Sequence, residues 1–184
     1  MITRDQAYTQ LTSMLSNPNL IKHCLAVESA MIGYAQHFQI PQDQHESWAI
    51  AGLIHDADWE KYPQEHPKII VNWLKDHDAN DQIVNAVESH GFAFGVDPTS
   101  LMARSLRAVD ELTGLITAVA LVKNRSLAQV TLESILKKWN QKGFAAGASR
   151  EDIQRGADEL GIPLNTHIQI VLSSMQKISA TLNL

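Results

Sequence analysis

The spacing of apolar residues after Pro18 most constrains the fold of this chain. Apolar side chains recur there every three or four positions, at Leu20, Cys24, Val27, Met31, Tyr34 and Phe38. This period places them on one stripe of an α-helix. Later segments show the same period, and no run alternates between apolar and polar residues beside hairpin-type turn residues. The pattern therefore predicts an all-α fold.

Capping residues divide this pattern into about seven to nine helices. Asp43 with Glu46 three residues later resembles a capping box, and Gly91 suits the left-handed residue that follows a helix. The predicted starts are Ser16-Asn17-Pro18, Asp43, Pro67, Asn80, Asp97, Ser126, Ser149 and Asn165 or Thr166. Gly161 is expected to end the helix that begins at Ser149. The length of 184 residues fits one domain over 1–184, with a site-bearing core at roughly 18–122 and the helices of 126–184 packed on it.

Composition excludes several classes of function. The formal charge is −5 and the longest basic cluster is Lys137-Lys138, so we expect no nucleic-acid polymer as a partner. Cys24 is the only cysteine, which excludes an internal disulfide and a cysteine-based zinc site. No apolar run approaches the roughly eighteen residues of a membrane span, and no secretory signal is recognisable. These observations predict a cytoplasmic protein with no membrane partner.

The stretch "GLIHDADWEKYP", Gly52 to Pro63, ends an apolar run on the doublet His55-Asp56. Neighbouring residues point about 100° apart on a helix, so both can face one pocket only near a helix end. Imidazole nitrogen and carboxylate oxygen together suit divalent Mn, Fe, Co, Ni or Zn, and Mg less well. The doublet is therefore either a helix cap or half of a metal site.

Four further side chains lie on apolar stripes or at a helix start and could complete a metal site: His23, His66, His90 and Asp110. Each also has a structural interpretation. A histidine there can be a hydrogen-bonded core residue, and Asp110 can form an ion pair with Arg104 or Arg107. Polar neighbours surround the remaining histidines, which we expect at the surface: His37, His45, His77 and His167.

The order His23, His55-Asp56, Asp110 in an all-α chain resembles the HD-domain superfamily of metal-dependent phosphohydrolases, and its uncharacterised predicted hydrolases most of all. Three further stretches are similar to that superfamily: "EHPKIIVNWL" from Glu65, "AVESHG" from Ala86 and "ARSLRAVDELTGLITA" from Ala103. The stretch "SHGFAFGVDP" lacks the paired histidines and the Gly-Tyr-Pro signature of the branch that hydrolyses cyclic dinucleotides. The resemblance therefore does not imply a cyclic dinucleotide as substrate.

The resemblance implies a ligand set for one divalent metal ion, made of His23, His55, Asp56 and Asp110. Asp56 would bridge to a second ion held by His66 and His90, and whether one ion or two bind stays open.

The same resemblance implies a phosphohydrolase that acts on a nucleotide or another small phosphorylated molecule through a metal-activated water. Asp56 would be catalytic, and Asp58 would either orient the water or cap a helix. Lys61 and Arg104 would contact phosphate, or have ordinary surface and ion-pair roles. The alternatives are an HD-type regulatory module that binds metal and ligand without turnover, and a helical interaction protein with structural His and Asp residues. The small-residue segment 140–152 is either a lid over the pocket or a plain loop.

Overall fold

Ten α-helices build the part of the chain that this computed structural model describes, residues 2–141 and 143–184, and no β-strand occurs in that part. The predicted all-α fold is confirmed. The helices are α1 Arg4–Met14, α2 Pro18–His37, α3 His45–Ile54, α4 Lys68–Asp76, α5 Asp81–Glu88, α6 Leu101–Val122, α7 Leu132–Trp139, α8 Arg150–Glu159, α9 Leu164–Lys177 and α10 Ser179–Leu182. Within the same residues, no helix is both long and apolar enough to cross a membrane.

The two longest helices, α2 with 20 residues and α6 with 22, form the centre of the bundle. Helix α2 packs against α3, α6 and α9, and α6 also packs against α5 and α8. The stripe predicted on α2 is confirmed, because Cys24, Val27, Met31 and Tyr34 are fully buried while Leu20 and Phe38 pack at its edges. The two central helices thus place their inward-facing residues beside those of α3 and α5.

Several predicted caps are confirmed. The side chains of Asn17, Asn80 and Ser149 each accept a hydrogen bond from a backbone N–H in the first turn of the helix that follows. Gly161 takes a left-handed conformation, with φ 69°, after α8. These residues satisfy backbone groups that a helix end otherwise leaves unpaired.

Other boundary predictions are wrong. The predicted capping box at Asp43 does not form, because Glu46 instead accepts a hydrogen bond from the Arg4 backbone N–H. Gly91 has φ −95° and is not a left-handed residue after α5. Three helices begin a few residues away from the predicted starts: α6 after Ser100, α7 after Thr131 and α9 after Pro163.

Helix α1 was not predicted, although its start carries a sequence signal. The Thr3 side chain accepts from the Gln6 backbone N–H, and the Gln6 side chain accepts from the Thr3 backbone N–H, which makes a capping box.

The expectation of a surface position for His167 is also wrong. This histidine is fully buried, and its Nε2 donates to the carbonyl oxygen of Ala108 at 3.0 Å while its Nδ1 accepts from the Tyr34 hydroxyl. Burial lowers the pKa of His167 to about 4, because the charged form would lose its hydration. No local sequence pattern indicates this burial, since both partners lie on other helices.

Helix α8 lies so close to α6 that only glycine fits at position 156. A Cβ built on Gly156 would come within 2.6 Å of the Ala108 Cα and 2.7 Å of the Ala108 Cβ. Gly114, in the interior of α6, has no atom within 4 Å of such a Cβ.

The two glycines give a matched pair for a stability test. We expect Gly156→Ala to lower the free energy of unfolding by about 1–3 kcal/mol, because the two helices must move apart. Gly114→Ala should raise it by about 0.5–1 kcal/mol, since alanine restricts the unfolded chain and meets no obstacle. Urea denaturation at neutral pH measures both values, and equal effects of the two substitutions would contradict the close contact of α8 with α6.

His167 makes stability depend on pH. An unfolded histidine takes up a proton near pH 6.5, whereas the native one takes it up only near pH 4, so the contribution of His167 is complete above pH 6.5 and is lost as the pH falls toward 4. The loss amounts to roughly 3 kcal/mol. We expect His167→Gln, which does not titrate, to lose less stability than the wild type between pH 7.5 and pH 4.5 in urea titrations. Parallel losses in the two proteins would show that His167 is not held neutral.

Candidate metal centre

The doublet His55-Asp56 lies at the C-terminal end of α3, which finishes at Ile54. Turns follow from residue 55 to residue 61, and they let two neighbouring side chains face the same pocket. His55 Nδ1 donates to the carbonyl oxygen of Gly52 at 2.9 Å, so a backbone group in the last turn of α3 fixes the imidazole ring. The condition stated for the doublet, a position near a helix end, is met.

Four side chains from three parts of the chain meet at the first cluster. His23 comes from α2, Asp110 from α6, and His55 and Asp56 from the end of α3. His23 Nε2 lies 3.0 Å from Asp110 Oδ1 and 3.6 Å from Asp56 Oδ2. His55 Nε2 lies 3.5 Å from each of the same two oxygens. All four predicted ligands therefore lie together.

The second cluster uses the other oxygen of the same carboxylate. Asp56 Oδ1 lies 3.4 Å from His66 Nε2 and 3.5 Å from His90 Nε2. His66 precedes α4 and His90 follows α5, and their Nε2 atoms are 3.2 Å apart. Within each cluster the ligand atoms lie within 4.8 Å of one another. We call the two clusters together the His/Asp centre.

Hydrogen bonds on the far side of three rings determine which nitrogen carries the proton. The Nδ1 atoms of His55, His66 and His90 face the Gly52 carbonyl, the Asp58 carboxylate and the Val87 carbonyl, respectively. Each Nδ1 must donate to that acceptor, which leaves a lone pair on each Nε2 of the neutral ring.

These lone pairs converge on carboxylate oxygens, which are also acceptors, and the buried His55 Nε2 has no hydrogen-bond partner among the described residues. A cation between them would satisfy every one of these atoms, so the residues fit a divalent metal ion.

The pKa shifts of Asp56, Asp110 and His55 also indicate that this site favours positive charge. Burial alone would raise the pKa of Asp56, but His55 and its neighbours outweigh burial and hold that pKa well below its usual value. Burial likewise opposes a lowered pKa at Asp110, which His23 and His55 nevertheless produce. Burial would lower the pKa of His55, yet Asp56 and Asp110 raise it well above its usual value, so without a cation between them His55 Nε2 would itself bind a proton, which a metal ion would replace. Both carboxylates are therefore ionised and available as ligands.

Asp58 caps the first turn of α4, but from a buried position and not from the exposed one expected for a cap. Its side chain is fully buried, so it is no exposed cap. Its Oδ1 accepts from His66 Nδ1 at 2.6 Å and its Oδ2 accepts from the Ile70 backbone N–H at 3.0 Å. Both oxygens are thus engaged away from the centre, and Asp58 positions His66 and the start of α4 instead of orienting a water.

The two predicted phosphate contacts also lie elsewhere. Lys61 is exposed and its Nζ donates to the Ser13 carbonyl at 2.7 Å, while Arg104 is half-buried, and neither lines the cleft at the His/Asp centre. The suggested ion pair of Asp110 with an arginine is wrong for Arg107, whose guanidinium donates to the carbonyls of Ser89 and Val96. The described partners of the Asp110 carboxylate are His23 and His55.

A cleft of about 570 Å³ opens beside the centre. Besides the centre's own residues, its described lining consists of Leu20, Trp59, Gly91, Phe94, Glu111, Gly114, Ala145, Gly147 and Ala148. The sequence did not indicate these side chains as site residues. Trp59 and Glu111 lie within three residues of predicted ligands, and Ala145, Gly147 and Ala148 belong to the small-residue segment 140–152 that was expected either over the pocket or in a plain loop.

Part of the segment 140–152 forms one wall of this cleft. The Arg150 guanidinium donates to the carbonyls of Phe144, Ala145 and Ala148, and the Ser149 backbone N–H donates to Glu111 Oε2 at 3.2 Å. These bonds hold the wall against α6. Lys142 of the same segment lies outside the described residues, and the suggested lid movement stays a prediction.

Comparisons of the chain with protein-family models, with curated proteins and with solved structures found no match. The chemistry of the site therefore rests on its geometry.

The role of Asp58 can be tested by metal titration. We expect Asp58→Asn to weaken Mn²⁺ binding at the cluster of Asp56, His66 and His90 by about 10- to 100-fold, because His66 loses the carboxylate that fixes its ring. Mn²⁺ binding at His23, His55, Asp56 and Asp110 should change little. Isothermal titration calorimetry measures the affinities. Asp76→Asn, at an exposed position at the end of α4, is the matched control, and equal affinities in all three proteins would refute the positioning role.

Proposed function

We propose that this chain is a metal-dependent phosphohydrolase of the HD-domain type that acts on a small phosphorylated molecule. One observation carries the proposal: the two oxygens of Asp56 face two separate clusters, one completed by His23, His55 and Asp110 and the other by His66 and His90. A carboxylate shared in this way suits a pair of adjacent cations, as in many enzymes that hydrolyse phosphate esters.

The donor atoms favour particular ions. A set of imidazole nitrogens and carboxylate oxygens suits Mn, Fe, Co, Ni or Zn, and suits Mg less well. A bound divalent ion would polarise a phosphoryl oxygen and make a nearby water more acidic, which are the two requirements of phosphate ester hydrolysis at neutral pH.

The chain's own residues prepare the site for this chemistry. The carbonyls of Gly52 and Val87 and the carboxylate of Asp58 fix three imidazole rings before any ligand arrives. Pre-set rings require no reorganisation during the reaction. The described lining contains no lysine or arginine, so neutralisation of the substrate phosphate falls to the His/Asp centre.

That shortage of cationic side chains also favours a second candidate, an HD-type regulatory module that binds a metal and a ligand without turnover. Sites that transfer phosphoryl groups commonly add arginine or lysine to the metal. A measurement of turnover distinguishes the two functions.

Asp56→Ala is the most informative substitution for the proposed function. We expect it to abolish loading at both clusters and to lower hydrolysis on the order of 10³-fold, because a bound cation contributes several kcal/mol to catalysis. Helicity measured by circular dichroism should stay largely intact. Metal analysis of the purified protein and a panel of phosphate esters with added Mn, Ni, Co and Mg provide the measurements.

His77→Ala serves as the control, because His77 is exposed and stacks on Trp73 away from the cleft. Full metal content in Asp56→Ala would contradict the shared carboxylate. Metal binding by the wild type without hydrolysis of any ester would favour the regulatory module, and an absence of metal binding would leave the histidines and aspartates a structural role.

A further inference from the structure

Two exposed aromatic side chains border the second cluster. Trp59 is 46% exposed and Phe94 is 36% exposed, and both line the cleft. Single exposed apolar side chains are common on protein surfaces, but those that line a pocket are candidates for contact with a ligand. Trp59 and Phe94 are therefore candidates for contact with a ligand in the cleft.

Both rings contact the histidines of the second cluster. The Trp59 ring lies 5.1 Å from the His66 ring at an interplanar angle of 85°, and the Phe94 ring lies 5.0 Å from the His90 ring at 79°. Phe94 also meets His66, with ring centroids 5.5 Å apart. A group that contacts Trp59 and Phe94 would therefore lie next to the ligand atoms of His66 and His90.

The glycine at position 91 leaves space for the Phe94 ring. A Cβ built on Gly91 would come within 2.7 Å of that ring, so any larger residue at 91 would push the ring away. The Phe94 backbone N–H donates to the Gly91 carbonyl at 3.1 Å, which closes a short turn over residues 92–94. The close approach of Gly91 explains why glycine stands at 91 without a left-handed conformation.

The charges of the cleft limit what else can bind. Outside the His/Asp centre, Glu111 is the one ionisable side chain in the described lining. A carboxylate repels phosphate groups, so a chain of several phosphates would have no cationic side chain among the residues that line this cleft. The remaining lining is apolar, and its volume of about 570 Å³ lies in the range of small-molecule sites.

We propose that Trp59 and Phe94 are specificity-determining residues that hold a flat ring of the substrate, and that the substrate is a phosphate monoester with a single phosphate on an otherwise uncharged, ring-bearing molecule. This inference rests on the proposed function. The phosphate lies at the His/Asp centre, and the ring lies between the two aromatic side chains.

A pair of substrates with the same reacting group tests the role of the ring. Adenosine 5′-monophosphate and ribose 5-phosphate both release a primary alcohol, but only the first carries a flat base. We expect the wild type with added Mn²⁺ to show a kcat/KM at least about tenfold higher for the first, in line with the effect of stacking a base on an aromatic side chain. Trp59→Leu and Phe94→Leu should each lower that ratio several-fold.

Tyr62→Leu is the matched control, since Tyr62 is 40% exposed three residues from Trp59 and is not among the cleft-lining residues. It should leave the ratio unchanged. An equal fall for both substrates in the two cleft variants would overturn the inference, because it would mean that the rings only support His66 and His90. Faster hydrolysis of adenosine triphosphate than of the monophosphate would overturn the single-phosphate part.

A second measurement needs neither metal nor turnover. Saturation-transfer NMR should detect adenosine binding to the metal-free wild type, with a signal weakened in Trp59→Leu and Phe94→Leu but not in Tyr62→Leu. If no phosphate ester is hydrolysed while this pattern appears, the proposed function fails and the ring site stands. If esters are hydrolysed but the wild type gives no adenosine signal and no preference for the ring-bearing substrate, the proposed function stands and the ring site fails.

Discussion

The carboxylate of Asp56 is the group on which the organisation of this bundle depends. It is only 17% exposed, and its two oxygens face imidazole nitrogens supplied from α2, from the end of α3, and from the segments before α4 and after α5. A charge so poorly hydrated is costly unless several partners compensate it. The helices that supply those partners also share one apolar core, so the polar centre and the packing of the core determine each other.

The C-terminal ends of α3 and α5 orient two of the histidine ligands, His55 and His90. The last turn of a helix leaves carbonyl oxygens without partners inside the helix, and the residues just beyond can use them. His55 and His90 both follow a helix C-terminus, and each turns its Nδ1 to a carbonyl three residues earlier, at Gly52 and Val87. The same local geometry thus satisfies an unpaired backbone group and leaves Nε2 free, at two different places in the chain.

The parts of the site that the sequence predicted are those with a local signal. All six expected ligands belong to the two clusters, because a helical period or a helix end placed each one toward the interior. No local pattern in the sequence determined the places of Asp58, Lys61 and Arg104. Asp58 contacts His66, Lys61 contacts Ser13, and Arg104 does not line the cleft, because these positions depend on tertiary packing. The same holds for His167, which was expected at the surface because its neighbours in sequence are polar. Its hydrogen-bond partners lie on α2 and α6 and could not be inferred from those neighbours. The all-α class needed only periodicity, whereas starts such as that of α7 depended on which of several nearby Ser and Thr residues became the cap.

Helix α8 contacts both the cleft wall and α6, the helix that carries Asp110. Arg150, the first residue of α8, donates hydrogen bonds to three carbonyl oxygens of the wall. Gly156 of the same helix contacts the backbone of α6 at Ala108, two residues before Asp110. A displacement of α8 would therefore also shift α6 and with it Asp110, a ligand of the centre.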